Sequence, residues 1–413
     1  MISPGTRSRQ DFALVPLRTY HRRAATFGFS AALVSSLGQT YFIGLFGLSI
    51  RDELALDESH WGALYALATL ASGLLMFSLG GLADRLPMKR AITVALAILG
   101  LGTVLMSVAS GWVLLVIGLF CLRLGGQGLV GHIAIVAAAR HARRRGRSIA
   151  TAAFGFILGE ALLPLAVVAM LGWLDWRWVW SMAAVLVLGV ALPALRAVAA
   201  PLPRAAVMAA PADAPPPLRR RQLVRMPSFL AALAVVLVSP FVVTAVFLHQ
   251  GTLATLHGWT PAQVAGGFIA FAAAQTATTW LAGHWVDRYG VTWVLRIYLL
   301  PVAAAFLALA FGSSPLALWG LFVGLGATAG ANSVMSGALW ADVFGVDSLG
   351  MVRGVYTGFM VIATALSPLL FGLFLETGSS MTYVAVGVTA YVILVPWLVT
   401  RSLVADTERA SWS

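Results

Sequence analysis

Long apolar runs separated by short polar segments repeat along the chain, from residue 25 to residue 400. A helix needs about 20 mostly apolar residues to cross the hydrocarbon core of a bilayer, and twelve runs come close to that length. Some connecting segments are very short, as at 109–111, so the helices on either side of them must be antiparallel. The predicted spans, numbered 1 to 12, are 25–50, 61–82, 91–108, 112–138, 148–171, 177–195, 228–249, 262–283, 291–311, 315–339, 354–375 and 380–400.

The composition agrees with an all-α membrane protein. Of 413 residues, 60% are hydrophobic and 10% are charged, whereas soluble domains contain about 25% charged residues. Cys121 is the only cysteine, which excludes an intrachain disulfide and a cysteine-rich metal site. Lys89 is the only lysine, and the phosphate-binding pattern G-x-x-x-x-G-K-[ST] does not occur. We therefore expect no ATP hydrolysis, no metal, no cofactor and no enzyme activity.

The basic residues lie mainly in alternate loops. With the N-terminus inside, 23 of the 27 Lys and Arg residues fall in segments predicted to be cytoplasmic, which is the distribution that cytoplasmic loops show. Both termini should therefore be cytoplasmic, in a multi-pass protein of the inner (plasma) membrane. Topology and lipid contact account for the net charge of +12, so we expect the lipid bilayer, and not nucleic acid, as a partner.

A polar segment at 196–227 divides the chain into two halves. It contains Pro215-Pro216-Pro217 and Arg219-Arg220-Arg221, and such a composition predicts a semi-extended linker. Six spans precede this segment and six follow it. The predicted organisation is a cytoplasmic tail at 1–24, a six-helix bundle at 25–195, a cytoplasmic linker at 196–227, a second six-helix bundle at 228–400 and a cytoplasmic tail at 401–413.

Two landmarks recur in both halves at nearly the same offset. Span 2 ends on GGLADR at 80–85 and span 8 ends on GHWVDR at 283–288, so both carry G-x-x-x-D-R. The first half also has Arg147 followed by Pro164, and the second half has Arg353 followed by Pro368. Together these landmarks indicate a duplicated six-helix unit, a plan found in secondary transporters.

With these motifs the sequence resembles the major facilitator superfamily over nearly its whole length. GGLADRLPMKR at 80–90 is similar to the loop signature G-x-L-A-D-R-x-G-R-K, with departures at Pro87 and Met88. RLGGQG at 123–128 is similar to R-x-x-Q-G with one residue inserted, and the glycines and proline of GFILGEALLP at 155–164 resemble the helix-5 motif. The resemblance implies twelve helices in two pseudo-symmetric bundles. It also implies a secondary transporter in which spans 1, 4, 7 and 10 line a cavity that opens alternately to each side.

The resemblance further implies that charges at the cytoplasmic helix ends join the halves in one state and release them in the other. An ion pair worth about 1 kcal/mol shifts a two-state equilibrium about fivefold. The alternative is that these residues are static topology anchors. The gating candidates are Gly80, Asp84, Arg85, Lys89, Arg147, Gly283, Asp287, Arg288 and Arg353.

Two ionisable residues lie near the middle of adjacent spans, and such residues are functional candidates by default. Arg123 in span 4 and Glu160 in span 5 come at similar depth. A buried carboxylate alone tends to stay protonated, whereas a nearby guanidinium favours its charged form. Either behaviour suits a proton-coupled carrier, and Arg123 could instead bind an anionic substrate, with Gln127 one turn along. The alternative is a permanent ion pair that holds the two helices together.

Other polar residues are candidates for a hydrophilic cavity. In span 1, Ser36, Gln39 and Thr40 are spaced i, i+3 and i+4 and are followed by Tyr41, and span 10 carries Asn332. Small polar residues also hold membrane helices together, which is the alternative interpretation. At the outer end of span 7, His249 and Gln250 could form an outer gate or a wall of the binding site, or could cap the helix.

The resulting functional hypothesis is alternating-access transport of a small organic solute, with a proton as a candidate co-substrate. A small organic anion such as a monocarboxylate is the first expectation, because Arg123 is the best-placed cation at membrane depth. The alternative is a proton-coupled efflux antiporter for drugs or cations that uses Glu160. A membrane sensor with the same fold is a third hypothesis. We expect a monomer.

Overall fold

The computed structural model describes residues 17–79, 82, 86–140, 145–199, 220–312, 314–344 and 349–411. Within these ranges the regular structure is helical, as the apolar runs predict. Ten helices are long and apolar enough to cross a membrane, and an eleventh is added if the bent pair Arg23–Gly44 and Gly47–Leu54 forms one span. The helix Glu58–Leu79 lies where span 2 is predicted, outside that count.

The helices follow the predicted spans, although several are longer than predicted. In span 8 the helix ends at Tyr289, and in span 10 it ends at Phe344. From span 2 to span 12 the principal helices are Glu58–Leu79, Met88–Ser107, Trp112–Leu122 continued by Gly131–Arg140, Arg145–Leu171, Trp176–Val185 continued by Leu192–Ala199, Pro227–Val236 continued by Val238–Leu248, Pro261–Tyr289, Val291–Ile297 continued by Leu300–Phe311, Pro315–Phe344, Leu349–Glu376 and Met381–Ser411.

Span 1 is broken near its middle. The helix Leu17–Ser35 ends in a 3-10 turn, Ser36–Gly38, and a five-residue helix begins at Thr40. Between them Gln39 has an extended backbone, with φ −83° and ψ 152°. The prediction of one continuous helix with Ser36, Gln39 and Thr40 on a single face is therefore wrong, because the break changes the direction of the side chains that follow it.

Span 4 contains a π-helical segment, Arg123–Val130, between its two α-helical parts. A π-helix closes hydrogen bonds between residues five apart and therefore takes up more residues per turn than an α-helix. The segment coincides with the motif RLGGQG, which has one residue more than the pattern R-x-x-Q-G. The inserted residue is thus accommodated by local widening of the helix, and span 4 stays continuous.

Close backbone packing joins the spans of the first half. Gly155 and Gly159 of span 5 lie against Phe29, Ala32 and Ser36 of span 1, and a Cβ at either glycine would clash with these neighbours. Two glycines four residues apart thus let spans 1 and 5 approach closely, as small residues do in membrane helices. The second half has a close backbone contact of its own, since Gly326 of span 10 lies against the backbone of Phe271 in span 8.

The two halves meet along spans 2 and 11 and along spans 5 and 8. A Cβ at Gly62 of span 2 would come within 2.7 Å of the Pro368 carbonyl and 2.8 Å of Leu369 Cα in span 11. Gly44 of span 1 likewise abuts the backbone of Phe247 in span 7. These contacts lie at the end of the bundle that the charge distribution predicts to be extracytoplasmic, here named the outer end. The halves are therefore closed against each other at the outer end.

Candidate functional site

Arg123 is buried at the junction of spans 1, 2 and 4, with 4% of its surface exposed. Its Nη1 donates hydrogen bonds to the Gly38 carbonyl at 3.2 Å and to Thr40 Oγ1 at 3.3 Å. The guanidinium carbon lies 5.1 Å from the centre of the Tyr65 ring, which is a cation–π geometry. Thr40 and Tyr65 share a hydrogen bond between their hydroxyl groups. The cation is thus held by neutral partners.

The broken span 1 and the π-helix of span 4 together produce this arrangement. Because the helix is interrupted at Gln39, the Gly38 carbonyl can accept a hydrogen bond from a side chain. Gly126 allows the two backbones to approach, since a Cβ there would lie 2.7 Å from Gly38 Cα and 3.0 Å from the Ser35 carbonyl. Discontinuous helices at membrane depth are typical of substrate sites in transporters.

Glu160 belongs to span 5, faces span 1 and is half-buried. Its Oε2 is buried, and among the described residues it has no hydrogen-bond partner. The Tyr41 hydroxyl lies near Glu160 and near Ser36, and both Tyr41 and Ser36 face the adjoining Gly159. Within the described part of the chain neither Glu160 nor Arg123 forms an ion pair. The permanent Arg123–Glu160 pair that was left open from the sequence is therefore not formed in this structure.

Tyr41 connects this polar region to the second half. Its ring lies 5.7 Å from the Phe268 ring and 6.5 Å from the Phe247 ring, centre to centre. Phe247 and Phe268 are themselves 4.9 Å apart. Tyr41 is 2% exposed, so an aromatic cluster fills the interface between spans 1, 7 and 8 beside Glu160.

Several predicted cavity residues have buried acceptor atoms without partners, an unusual state for buried polar groups. In span 10, Asn332 faces the hydroxyl of Tyr356 while its Oδ1 makes no hydrogen bond within the described residues. Gln127 in the π-helix and Gln275 in span 8 each have an unpartnered Oε1. Gln39 is half-buried at the break in span 1. Tyr65, Gln275 and Tyr356 were not recognised from the sequence, which shows no motif around any of them.

At the outer end, His249 and Gln250 bridge the two halves. Nε2 of Gln250 donates to the Tyr41 carbonyl at 2.9 Å. His249 Nδ1 lies 2.7 Å from Oε2 of Glu58 at the start of span 2, and Nε2 lies 2.9 Å from the Pro368 carbonyl. These contacts support the outer-gate alternative for both residues, while their roles in transport remain predictions.

Glu58 is in polar contact with three side chains. Its Oε1 pairs with Arg51 Nη1 at 2.5 Å and accepts from Thr252 Oγ1 at 2.6 Å, and its Oε2 faces His249. Burial by itself raises the pKa of Glu58, but the hydrogen bonds from His249 and Thr252 and the charges of His249 and Arg51 lower it below its ordinary value. The sequence did not reveal this cluster, because Glu58 and His249 lie 191 residues apart.

The predicted gating residues are only partly described. Gly80, Asp84, Arg85 and the side chain of Arg147 lie outside the described residues. Lys89, Asp287, Arg288 and Arg353 are exposed, and within the described part of the chain they form no ion pair. Gly283 faces open space. Their gating role remains a prediction.

Solved structures of transporters share this fold. A bacterial homologue of the human lysosomal transporter Spinster, in an inward-facing and unoccupied conformation, superposes with a TM-score of 0.63 at 16% identity, covering 95% of each chain. A mutant of the nucleoside transporter NupG superposes with a TM-score of 0.68 at 12% identity, covering 92% of this chain and 99% of that one. No match was found among curated protein sequences.

The sequence profile of the Major Facilitator Superfamily matches residues 28–273 and 240–412. These two matches include both sets of spans and all of the buried polar residues described above. The resemblance found in the loop signature is therefore confirmed, and the helical architecture agrees with it. The chain belongs to the Major Facilitator Superfamily, and it is a multi-pass membrane transporter.

Proposed function

We propose that the protein is a proton-coupled secondary transporter of a small organic anion such as a monocarboxylate. The observation that carries this proposal is the state of Arg123, a cation buried at membrane depth whose hydrogen-bond and ring partners among the described residues are neutral. A charge in such a setting is costly unless it is paired. A substrate anion would supply the missing negative charge.

The donor geometry of Arg123 fits a carboxylate. Both of its hydrogen bonds use Nη1, while its buried Nε has no partner within the described residues. Nε is therefore available to an additional acceptor, and a guanidinium group matches the two oxygens of a carboxylate. Buried acceptors on Gln127 and Asn332 would contact hydroxyl or amide donors elsewhere on the substrate.

Glu160 is the proposed proton carrier. Within the described part of the chain its Oε2 has no hydrogen-bond partner, and no cation there fixes the carboxylate in the ionised form. Uptake of a proton by Glu160 would offset the negative charge of the bound substrate. The proton and the substrate would be released when the site opens to the other side. Tyr41 lies between Glu160 and the second half, so a change in the charge of Glu160 would alter the packing of Tyr41 at the interface.

We propose alternating access as the mechanism, with the halves 25–195 and 228–400 rocking about the central site. The tails 1–24 and 401–413 and the linker 196–227 would remain in the cytoplasm, and the protein would work as a monomer in the plasma membrane. The closed outer end supports this proposal, since the contacts between Gly44 and Phe247 and between Gly62 and Pro368 join two halves that must separate in the other state.

The test is transport by purified protein in liposomes with an imposed pH gradient. Labelled small carboxylates should accumulate with the proton gradient, and they should raise the melting temperature of the detergent-solubilised protein. Arg123→Gln should abolish both effects. Arg296→Gln is the matched control, because Arg296 lies in span 9 and bonds to Thr400, away from the site. Absence of carboxylate binding and transport in the wild type would refute the proposal.

A second candidate is efflux of lipophilic cations in exchange for protons. The observation that favours it is the position of the Glu160 carboxylate near Tyr41, whose ring packs on Phe247 and Phe268, because aromatic faces and a carboxylate both attract an organic cation. Under this mechanism Glu160→Gln abolishes cation efflux and Arg123→Gln retains it. Under the anion mechanism Arg123→Gln is the variant that abolishes substrate binding.

A further inference from the structure

The His249 ring lies between two hydrogen-bond acceptors at the outer end. Nε2 faces the Pro368 carbonyl at 2.9 Å, and a carbonyl oxygen can only accept. Nδ1 faces Oε2 of Glu58 at 2.7 Å. Since a neutral imidazole carries one N–H, one of these two contacts needs an additional proton.

The remaining contacts of Glu58 locate the proton. Thr252 Oγ1 accepts from Arg51 Nη1 at 2.8 Å, so its single hydrogen is free to donate to Glu58 Oε1. Arg51 also donates to Oε1. Only the contact between Oε2 and Nδ1 can hold the additional proton, whether it resides on the imidazole or on the carboxyl group.

We propose that Glu58 and His249 form a proton-binding site that the two halves complete only when the outer end is closed. Glu58 begins the helix that leads into span 2 of the first half, whereas His249 and Pro368 belong to spans 7 and 11 of the second half. The site is dry, because the His249 side chain is fully buried and that of Glu58 is 9% exposed. Separating the halves exposes both groups to outer water, and the proton can leave.

Other ionisable groups at this end do not provide the proton contact. Arg51 is the only other charged group in contact with Glu58 within the described residues. From span 11, the uncharged Phe371 ring packs on His249 at 5.8 Å, and Glu376 accepts from the Ser59 backbone. Asp57 and His60 pair with each other at the exposed start of span 2.

The consequence is an outer gate that external acid closes. An imidazole in water titrates near pH 6.5, so above that value opening releases one proton. Linkage then requires the ratio of open to closed molecules to rise by up to about tenfold per pH unit. This inference rests on the proposed alternating access, but it is independent of the substrate and of Glu160.

The experiment measures the outer separation of the halves without substrate. Spin labels are placed at Ser110→Cys and Ser379→Cys in a Cys121→Ala background, because both serines are exposed at the outer end and lie in different halves. Distance distributions in lipid nanodiscs are recorded between pH 5.5 and 8.5. The wild type should shift towards the longer distance as the pH rises. An unchanged distribution would overturn the proposal.

Three variants assign the shift to this pair. Glu58→Gln should remove the pH dependence, because an amide can donate to a neutral imidazole without an additional proton, and His249→Gln should remove it as well. His257→Gln is the matched control, since both ring nitrogens of His257 contact carbonyls of the second half, on Leu253 and Leu309. A full pH response in Glu58→Gln and His249→Gln, or its loss in the His257 control, would refute the assignment. A normal response in a protein that transports no carboxylate would refute only the proposed function.

Discussion

The Gly38 carbonyl and the Arg123 guanidinium are joined by a 3.2 Å hydrogen bond between two interrupted helices. Both partners lie where the helix is irregular. Gly38 lies at the break in span 1, and Arg123 begins the π-helix of span 4. The bond therefore couples two local departures from α-helical geometry, and the candidate anion site depends on both.

The first prediction concerns the close approach that permits this bond. Gly126→Ala adds a Cβ 2.7 Å from Gly38 Cα and 3.0 Å from the Ser35 carbonyl, and both neighbours are backbone atoms that cannot rotate away. We expect spans 1 and 4 to separate, the melting temperature to fall by several degrees and transport to be lost. Measurement is by thermal unfolding and by liposome flux.

The control for this substitution is Gly337→Ala in span 10. A Cβ at Gly337 meets nothing within 4 Å, and alanine in a helix interior is favoured over glycine by about 0.5–1 kcal/mol. This variant should be as stable as the wild type or slightly more stable. Equal behaviour of the two variants would show that the Gly38–Gly126 approach is unimportant.

The broad architecture was predictable because membrane helices are encoded by local composition. Apolar runs located the spans, and the repeated G-x-x-x-D-R indicated two related halves. The inserted residue of RLGGQG was visible as well, but a count of residues does not show whether an insertion lengthens a loop or widens a helix. The break at Gln39 had no comparable signal, since Ser36, Gln39 and Thr40 fit a helical face equally well.

The pairing of charges was less predictable, because it depends on which helices touch. Arg123 and Glu160 are at similar depth, and their pairing was a reasonable alternative. The structure instead places Arg123 against Gly38 and Thr40, and Glu160 beside Tyr41. The Glu58–His249 contact joins span 2 to span 7, and no local sequence pattern predicts a contact between residues so far apart in the chain.

The second prediction separates the charge of Arg123 from its shape. Arg123→Lys keeps the cation but loses the planar edge that matches a carboxylate. Losing one charge-assisted hydrogen bond costs about 1.5–3 kcal/mol, so carboxylate binding should weaken by about 10- to 150-fold. Titration calorimetry with the carboxylate that gives the largest thermal shift measures this, and affinity within twofold of the wild type would contradict the bidentate geometry.

The third prediction concerns the cytoplasmic loop signature, where Asp84 lies outside the described residues. Asp84→Asn removes the negative charge of the loop 2–3 motif. It should reduce transport severalfold, because a gating ion pair of about 1 kcal/mol shifts the two-state equilibrium about fivefold. Membrane insertion and melting temperature should be unchanged. Asp342→Asn, in the last turn of span 10, serves as a comparison carboxylate. Wild-type flux in Asp84→Asn would exclude a gating role.

The fourth prediction is that the outer end, which mild acid closes, opens again in stronger acid. The pKa of Glu58 is lowered in the closed state by its hydrogen bonds and cationic neighbours, against the effect of burial. A group with a lowered pKa stabilises the closed state above its ordinary value, near 4.5, and this stabilisation is lost as the pH falls through the lowered value. Below about pH 4.5 the labels at Ser110 and Ser379 should therefore separate again. Closure is then most complete between this acidic limb and the higher pH at which opening releases the proton shared by the two side chains.

Glu53→Gln is the matched control for the acidic limb. The hydrogen bonds from Arg177 and Trp176 lower the pKa of Glu53 as well, but all three residues belong to the first half. Its replacement should therefore alter the stability of that half without changing the pH at which the two labels separate. Glu58→Gln, in contrast, should remove the acidic limb altogether. If both variants retain the wild-type acidic transition, the carboxylate that holds the outer end closed is not Glu58.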